Sequence, residues 1–167
     1  FTTHIVPIPA SDLKRADNFI TESYRRPEGR AIHFWRQKLY VYNGAGYGFV
    51  DYQAIERDAL EYLDQQWKLD KNKNLVPNAA TMRDAGNLRA ALERRCYIDI
   101  DTPPGSWLEP RYNEQDQEKY WHPVQQPDNA RYLCFTNGIL KVTVVGKELR
   151  REFQAPDCRF FTPTPLD

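Results

Sequence analysis

"RYLCFTNGILKVTVVG", residues 131–146, holds two apolar, β-branched and aromatic runs divided by Asn137-Gly138. A type I′ turn needs positive φ at both central residues, and Asn-Gly tolerates that best, so the stretch predicts a β-hairpin. The pattern recurs upstream: "AIHFWRQKLYVYN" (31–43) predicts one or two strands, and "YGFVDY" (47–52) a returning one. Hairpins are therefore expected at residues 39–50 and 132–145.

Helical spacing occupies other parts of the chain. Ser11 can cap a helix to about Tyr24, with Leu13, Ala16, Ile20 and Tyr24 recurring on one face. "RRPEGR" (25–30) breaks it. Asp51 stands at an N-cap position before Ile55, Ala59, Leu63 and Trp67, which share a face. "KLDKNKN" (68–74) reads as a polar loop. Thr81 and Asp84 form a capping-box pattern opening a helix through Arg95, with Leu88, Ala91 and Leu92 inward. Residues 101–130, with Pro103, Pro104, Pro110 and Pro123 and the polar run "NEQDQEK", read as a long excursion with little core. The closing "FQAPDCRFFTPTPLD" reads as extended. The fold class expected is α+β, small helices packed on short antiparallel strands and hairpins. Its core is expected to rest on Trp35, Phe49, Trp67, Trp107, Phe135 and Phe153.

At 167 residues the chain can bury a sizeable core. Its 23 basic and 23 acidic residues cancel, which argues against bulk attraction to nucleic acid or an anionic membrane. The charge is uneven, however. Residues 1–50 carry seven Lys/Arg and four Asp/Glu, whereas residues 101–130 carry two and six. Cys96, Cys134 and Cys158 are odd in number and widely spaced, which fits core thiols in a reducing, cytoplasmic compartment. No apolar run approaches the roughly 20 residues of a membrane span. The start at Phe1 and the stop at Asp167 read as the ends of a piece of a longer chain.

Gly44, Gly46 and Gly48 raise the question of phosphate binding, but their spacing is not the dinucleotide fingerprint and strand, not helix, follows them. A hairpin tip that glycine alone turns cheaply is the reading. No Gly-Lys-Ser/Thr occurs, so a Walker A loop is absent from the sequence. His4, His33 and His122 are scattered, none at ligand spacing from a cysteine, and His33 is expected to be half-buried and hydrogen-bonded. Asp99 and Asp101 alternate in "CYIDID" and, on a strand, would share a face able to hold a divalent ion. That pattern resembles the Asp-x-Asp strand of archaeo-eukaryotic primases, without their Ser-x-His or third acidic strand. A solvated strand end before Pro103-Pro104 is the plainer reading.

Basic residues interleave with aromatics in "YRRPEGRAIHFWRQKLY", where Arg25, Arg26, Arg30, Arg36 and Lys38 stand among Tyr24, Phe34, Trp35 and Tyr40. Charge beside aromatic platforms suits single-stranded nucleic acid. Lys147, Arg150 and Arg151 in "GKELRRE" form a second candidate group. The plainer alternative is a core-facing aromatic stripe with ordinary charged flanks.

In order, "FW…LYVYNG…F", "LEYL", "NLRAALE", an Ile-Asp stretch, Pro-Pro-x-x-Trp-Leu, "LCFTNGILKV" and "FFTPTPL" resemble one arrangement over residues 32–167. It is that of the domain immediately N-terminal to the superfamily-3 helicase in phage, plasmid and poxvirus primase–helicases. "VTVVGKEL" stands where the family often has a Thr-Gly turn, and residues 1–31 match no part of the pattern and read as an N-terminal helical segment of unassigned role within one compact domain. The resemblance implies a non-catalytic, cofactor-free module of a DNA-replication protein in a prokaryotic or virus-infected cell. Its partners would be the adjoining primase and helicase domains, neighbouring copies in a homo-oligomeric ring whose collar it helps form, and single-stranded or forked DNA. Two other classes stay open: a small metal-dependent primase or nuclease fragment using Asp99 and Asp101, and a free-standing protein-binding adaptor.

Overall fold

The computed structural model describes residues 5–114 and 118–163. In chain order the elements begin α1 (Asp12–Ser23), β1 (Arg25–Arg26), β2 (Gly29–Arg30), β3 (Ile32–Trp35), β4 (Lys38–Tyr42) and β5 (Tyr47–Val50). Next come α2 (Tyr52–Asp64), β6 (Trp67–Leu69), β7 (Leu75–Pro77) and α3 (Met82–Arg95). The remainder is strand: β8 (Ser106–Tyr112), β9 (Glu118–Pro123), β10 (Ala130–Phe135), β11 (Gly138–Val145), β12 (Glu148–Gln154) and β13 (Phe160–Phe161). The class is α+β, with every strand pair within the small sheets antiparallel.

Contacts divide the chain into two units, one of residues up to Ser23 with Asp51–Arg95, the other of Tyr24–Val50 with the chain from Cys96 on. A boundary at residue 31/32 was expected within one compact domain. The division falls differently because α1 turns Ala16, Phe19 and Ile20 inward and packs on α3, as α2 does. Residues 24–31 belong instead with the strands.

In the helical unit, Ile55, Ala59 and Leu63 line the buried side of α2, as their spacing predicts. Trp67, expected on that face, lies beyond the helix in β6 and is exposed. The expected polar loop is a short β6–β7 hairpin whose turn Asp70 caps, accepting from the N–H groups of Asn72 and Asn74 at 2.8 Å. The capping box forms in full. Thr81 N–H donates to Asp84 Oδ2 at 2.9 Å, and Asp84 N–H donates to Thr81 Oγ1 at 3.3 Å. Leu88, Ala91 and Leu92 are buried behind it.

In the strand unit, β3–β4–β5 form a meander, and Phe34 bridges Tyr97. Trp35, Tyr42, Tyr47, Ile98, Leu108, Trp121 and Phe161 make the main core. Gly29 lies so close to Trp121 that a Cβ there would meet the ring at 2.5 Å. The expected coreless excursion is a β8–β9 hairpin, and its Trp121 and Leu108 are both buried. Of the expected core aromatics only Trp35 is buried; Trp107 and Phe135 are half-buried, while Phe49 and Phe153 are exposed.

The β10–β11 hairpin forms, but Phe135 pairs with Gly138, so the loop is Thr136-Asn137 and not Asn137-Gly138. Neither residue of that loop has positive φ. Gly138 serves a different need: a Cβ there would strike the Phe153 ring and the Gln154 carbonyl at 2.5 Å. Left-handed backbone occurs instead at the β3–β4 turn, where Arg36 (φ 47°) and Gln37 (φ 63°) make a two-residue loop without glycine.

Candidate functional site

The two basic groups read from the sequence fare differently. On the β3–β4 turn, Arg36 and Lys38 are exposed and each sits on an aromatic face. The Arg36 guanidinium lies 4.2 Å from the Trp35 ring centre, and Lys38 Nζ lies 5.2 Å from that of Phe49. The Arg36 Nε–H also reaches the Ile100 carbonyl at 3.4 Å. Register explains the grouping: Trp35 faces Lys38 and Tyr40 faces Phe49, so all four side chains project from one side of the meander. Phe49 is 56 % exposed, a large ring available beside Lys38.

Arg25 and Arg30 are committed elsewhere. Arg25 pairs with Glu118 at 3.1 Å, and buried Arg30 pairs with the same carboxylate. Trp121 Nε1–H donates to Glu118 at 2.9 Å. Burial opposes the Glu118 charge, but Arg30, Trp121 and Arg25 outweigh it and hold the carboxyl below its usual range. This is a structural ion cluster, and Arg26 beside it is exposed.

The second group is split by strand alternation. Lys147 lies in the β11–β12 turn, and Arg150 and Arg151 project from opposite faces of β12. They make no single cationic patch. Around them lies a feature the sequence did not announce. On one face of β10–β11–β12, Leu133, Leu140 and Phe153 stand in one row and Val144 and Leu149 in another, with Arg131, Val142 and Arg151 in the row between them. Leu133, Val144, Leu149 and Phe153 are 44–58 % exposed. The opposite face is anchored only near the β10–β11 turn, where Cys134 and Ile139 pack with Phe160, Trp107 and Tyr132. The signal in "VTVVGKELRREF" is the recurrence of Leu149, Arg151 and Phe153 on one strand face after Gly146, diluted by the arginines.

Asp99 and Asp101 do not share a strand face. Asp101 N–H donates to Asp99 Oδ1 at 2.9 Å and Thr102 N–H to the Asp99 carbonyl at 3.0 Å, so the two sit in a turn. They border an open cleft of about 310 Å³ with Tyr97, Thr102, Tyr120 and His122. Among the described residues no three His, Cys, Asp or Glu side chains converge as a metal site.

His33 is fully buried, not half-buried, and neither ring nitrogen has a hydrogen-bond partner among the described residues. Burial first, and Arg30 second, hold its pKa well below 6.5. Gly44 (φ 100°) turns the β4–β5 tip, and Asn43 Oδ1 accepts from the Ala45 and Gly46 N–H groups at 3.0 Å. Gly44 and Gly46 thus sit on a closed hairpin tip, while Gly48 lies in β5 opposite Val41. All three cysteines are buried thiols outside any disulfide, and burial pushes the Cys158 thiol up to about 11. No helix among the described residues is long and apolar enough to cross a membrane. Compared with protein-family models, with curated proteins and with solved structures, the chain matches none.

Proposed function

We propose that the chain is a non-catalytic interaction module of a DNA-replication primase–helicase, preceding the ring ATPase. The observation that carries the reading is the β10–β11–β12 sheet, whose apolar face is left open to solvent over two rows of side chains. Exposed apolar rows joined through Val142 and bordered by Arg131 and Arg151 are of the kind that marks protein docking. It coincides with "FTNGIL" and the strand after it, the segment that carries the resemblance to helicase-adjoining domains. A secondary contact with single-stranded DNA is supported by exposed Arg36, held on the buried Trp35, and by the exposed Lys38–Phe49 pair, where a base can stack beside a bound phosphate.

The gene downstream of the Asp167 codon tests the module reading. It is expected to encode Gly-x-x-x-x-Gly-Lys-Ser/Thr within about a hundred residues, and a stop codon at once would sink the reading. The DNA contact is tested by anisotropy of a labelled single strand. Arg36→Glu with Lys38→Glu is expected to weaken binding, and unchanged affinity and salt dependence would remove this contact from the account.

A further inference from the structure

β12 is the outer strand of its sheet, seven residues long and exposed throughout, without proline and in unbroken register with β11. Edges that must stay unpaired are blunted by prolines, bulges, shortness or charge; β12 has none of the first three, and its charges are two acids and two bases, which a second copy of the same strand can complement. Its free hydrogen-bonding groups can be named. Val144 gives its N–H to the Asn129 carbonyl on the β10 side at 2.9 Å. Alternation then turns Thr143 and Val145 toward β12, where they face Arg150 and Glu148. The backbone groups of Leu149, Arg151 and Phe153 consequently point to the open edge.

We infer that β12 pairs antiparallel with β12 of a second copy of this chain, about a twofold axis through Arg151. A twofold axis perpendicular to the sheet makes the two edges antiparallel and keeps like faces together. In this register Leu149 meets Phe153 of the second copy and Phe153 meets its Leu149. Those residues and Arg151 all direct backbone groups to the edge, so each pair exchanges N–H···O bonds. On the other face Arg150 stands opposite Glu152 of the second copy, twice by symmetry. Moving the axis to Glu152 opposes two glutamates. Moving it to Arg150 opposes two arginines and sets Glu148 against Glu152. The Arg151 axis pairs Arg150 with Glu152 twice, with a single like-charged contact between the two Arg151 side chains; an axis at Leu149 would pair Arg150 with Glu148 instead, and the variants below separate the two. Within the single chain, Arg150–Glu148 at 4.0 Å and Lys141–Glu152 at 3.8 Å are long, and the three β12 side chains in them are well exposed, so they exchange readily.

The inference concerns the edge of the sheet whose face carries the docking reading, and it names a partner for that edge. The contact closes at two copies and is distinct from the head-to-tail contacts that build a ring.

The experiment is mass determination by sedimentation across a concentration series for wild type, Arg150→Glu, Glu152→Arg and an equimolar mixture of the two variants. Wild type is expected to dimerise, and each variant alone to dimerise about tenfold more weakly or worse. The mixture should recover dimers, because one chain then presents two acids opposite the other's two bases. Misfolded variants could not give that recovery. Arg151→Thr should tighten the wild-type dimer. A monomeric wild type, or a mixture no tighter than either variant, overturns the pairing while leaving the docking reading in place. A downstream gene without the ATPase motif removes the helicase reading and leaves the mass result unaffected.

Discussion

His33 spends its polarity in a ring of aromatics, 5.3 Å from Tyr47, 5.6 Å from Trp121 and 5.9 Å from Phe161, centre to centre. It stays neutral in the folded chain because burial and Arg30 both disfavour its charge. Above pH 6.5 both folded and unfolded forms are neutral, so the group is silent. As pH falls below that value the unfolded chain takes up a proton that the native chain refuses, and stability drops by up to about 1.4 kcal/mol per pH unit. The expected outcome is a melting temperature that declines between pH 7 and 5 more steeply in wild type than in His33→Leu, read by parallel thermal melts. Gly29 is the other sensitive position. Gly29→Ala drives a methyl into the buried Trp121 ring and is expected to cost about 1–3 kcal/mol in denaturant unfolding.

At the scale of elements, two short turns behave oppositely to their composition. Asn-Gly is present at the β10–β11 hairpin, yet the glycine is placed in β11 to clear Phe153, and the turn runs one residue earlier. Arg36-Gln37 has no glycine but bends through left-handed backbone, costing roughly 1–2 kcal/mol per residue, with Arg36 held over Trp35. Gln37→Gly is therefore expected to raise stability by about 0.5–1 kcal/mol in chemical denaturation, with Arg36 left in place. α3 starts where local chemistry says it should. Removing its cap by Thr81→Ala is expected to cost about 1 kcal/mol by the same measurement.

For the molecule as a whole, zero net charge means that any nucleic-acid contact depends on a local patch and not on the overall field. Arg36 and Lys38 are the predicted cations that the structure gathers on aromatic faces; Arg25 is spent on Glu118, and Arg150 and Arg151 part to opposite faces. Binding of a single strand should accordingly carry a shallow salt dependence. Reversing both charges should flatten the slope of log affinity against log salt by about 1.4, at about 0.7 per phosphate contact. A slope that stays put in a salt titration assigns the contact to other residues.

By itself the sequence determined the α+β class, the α2 and α3 faces, the capping box at Thr81–Asp84, the glycine tip at Gly44 and two hairpins. Each is set by residues within a few positions of one another, through periodicity, capping or turn chemistry. Tertiary structure alone decided what crosses long separations. Trp121 became core because Gly29, far away in the chain, leaves room for its ring. Phe49 and Phe153, as apolar as any core residue, lie exposed because no described element covers their faces. Arg25 and Arg30 became structural because Glu118 folds against them, and α1 joined α2 and α3 because its apolar stripe finds α3. Periodicity tells a residue which side of its own element it occupies. What covers that side depends on packing between distant segments, and that decided both the core and the open sheet face.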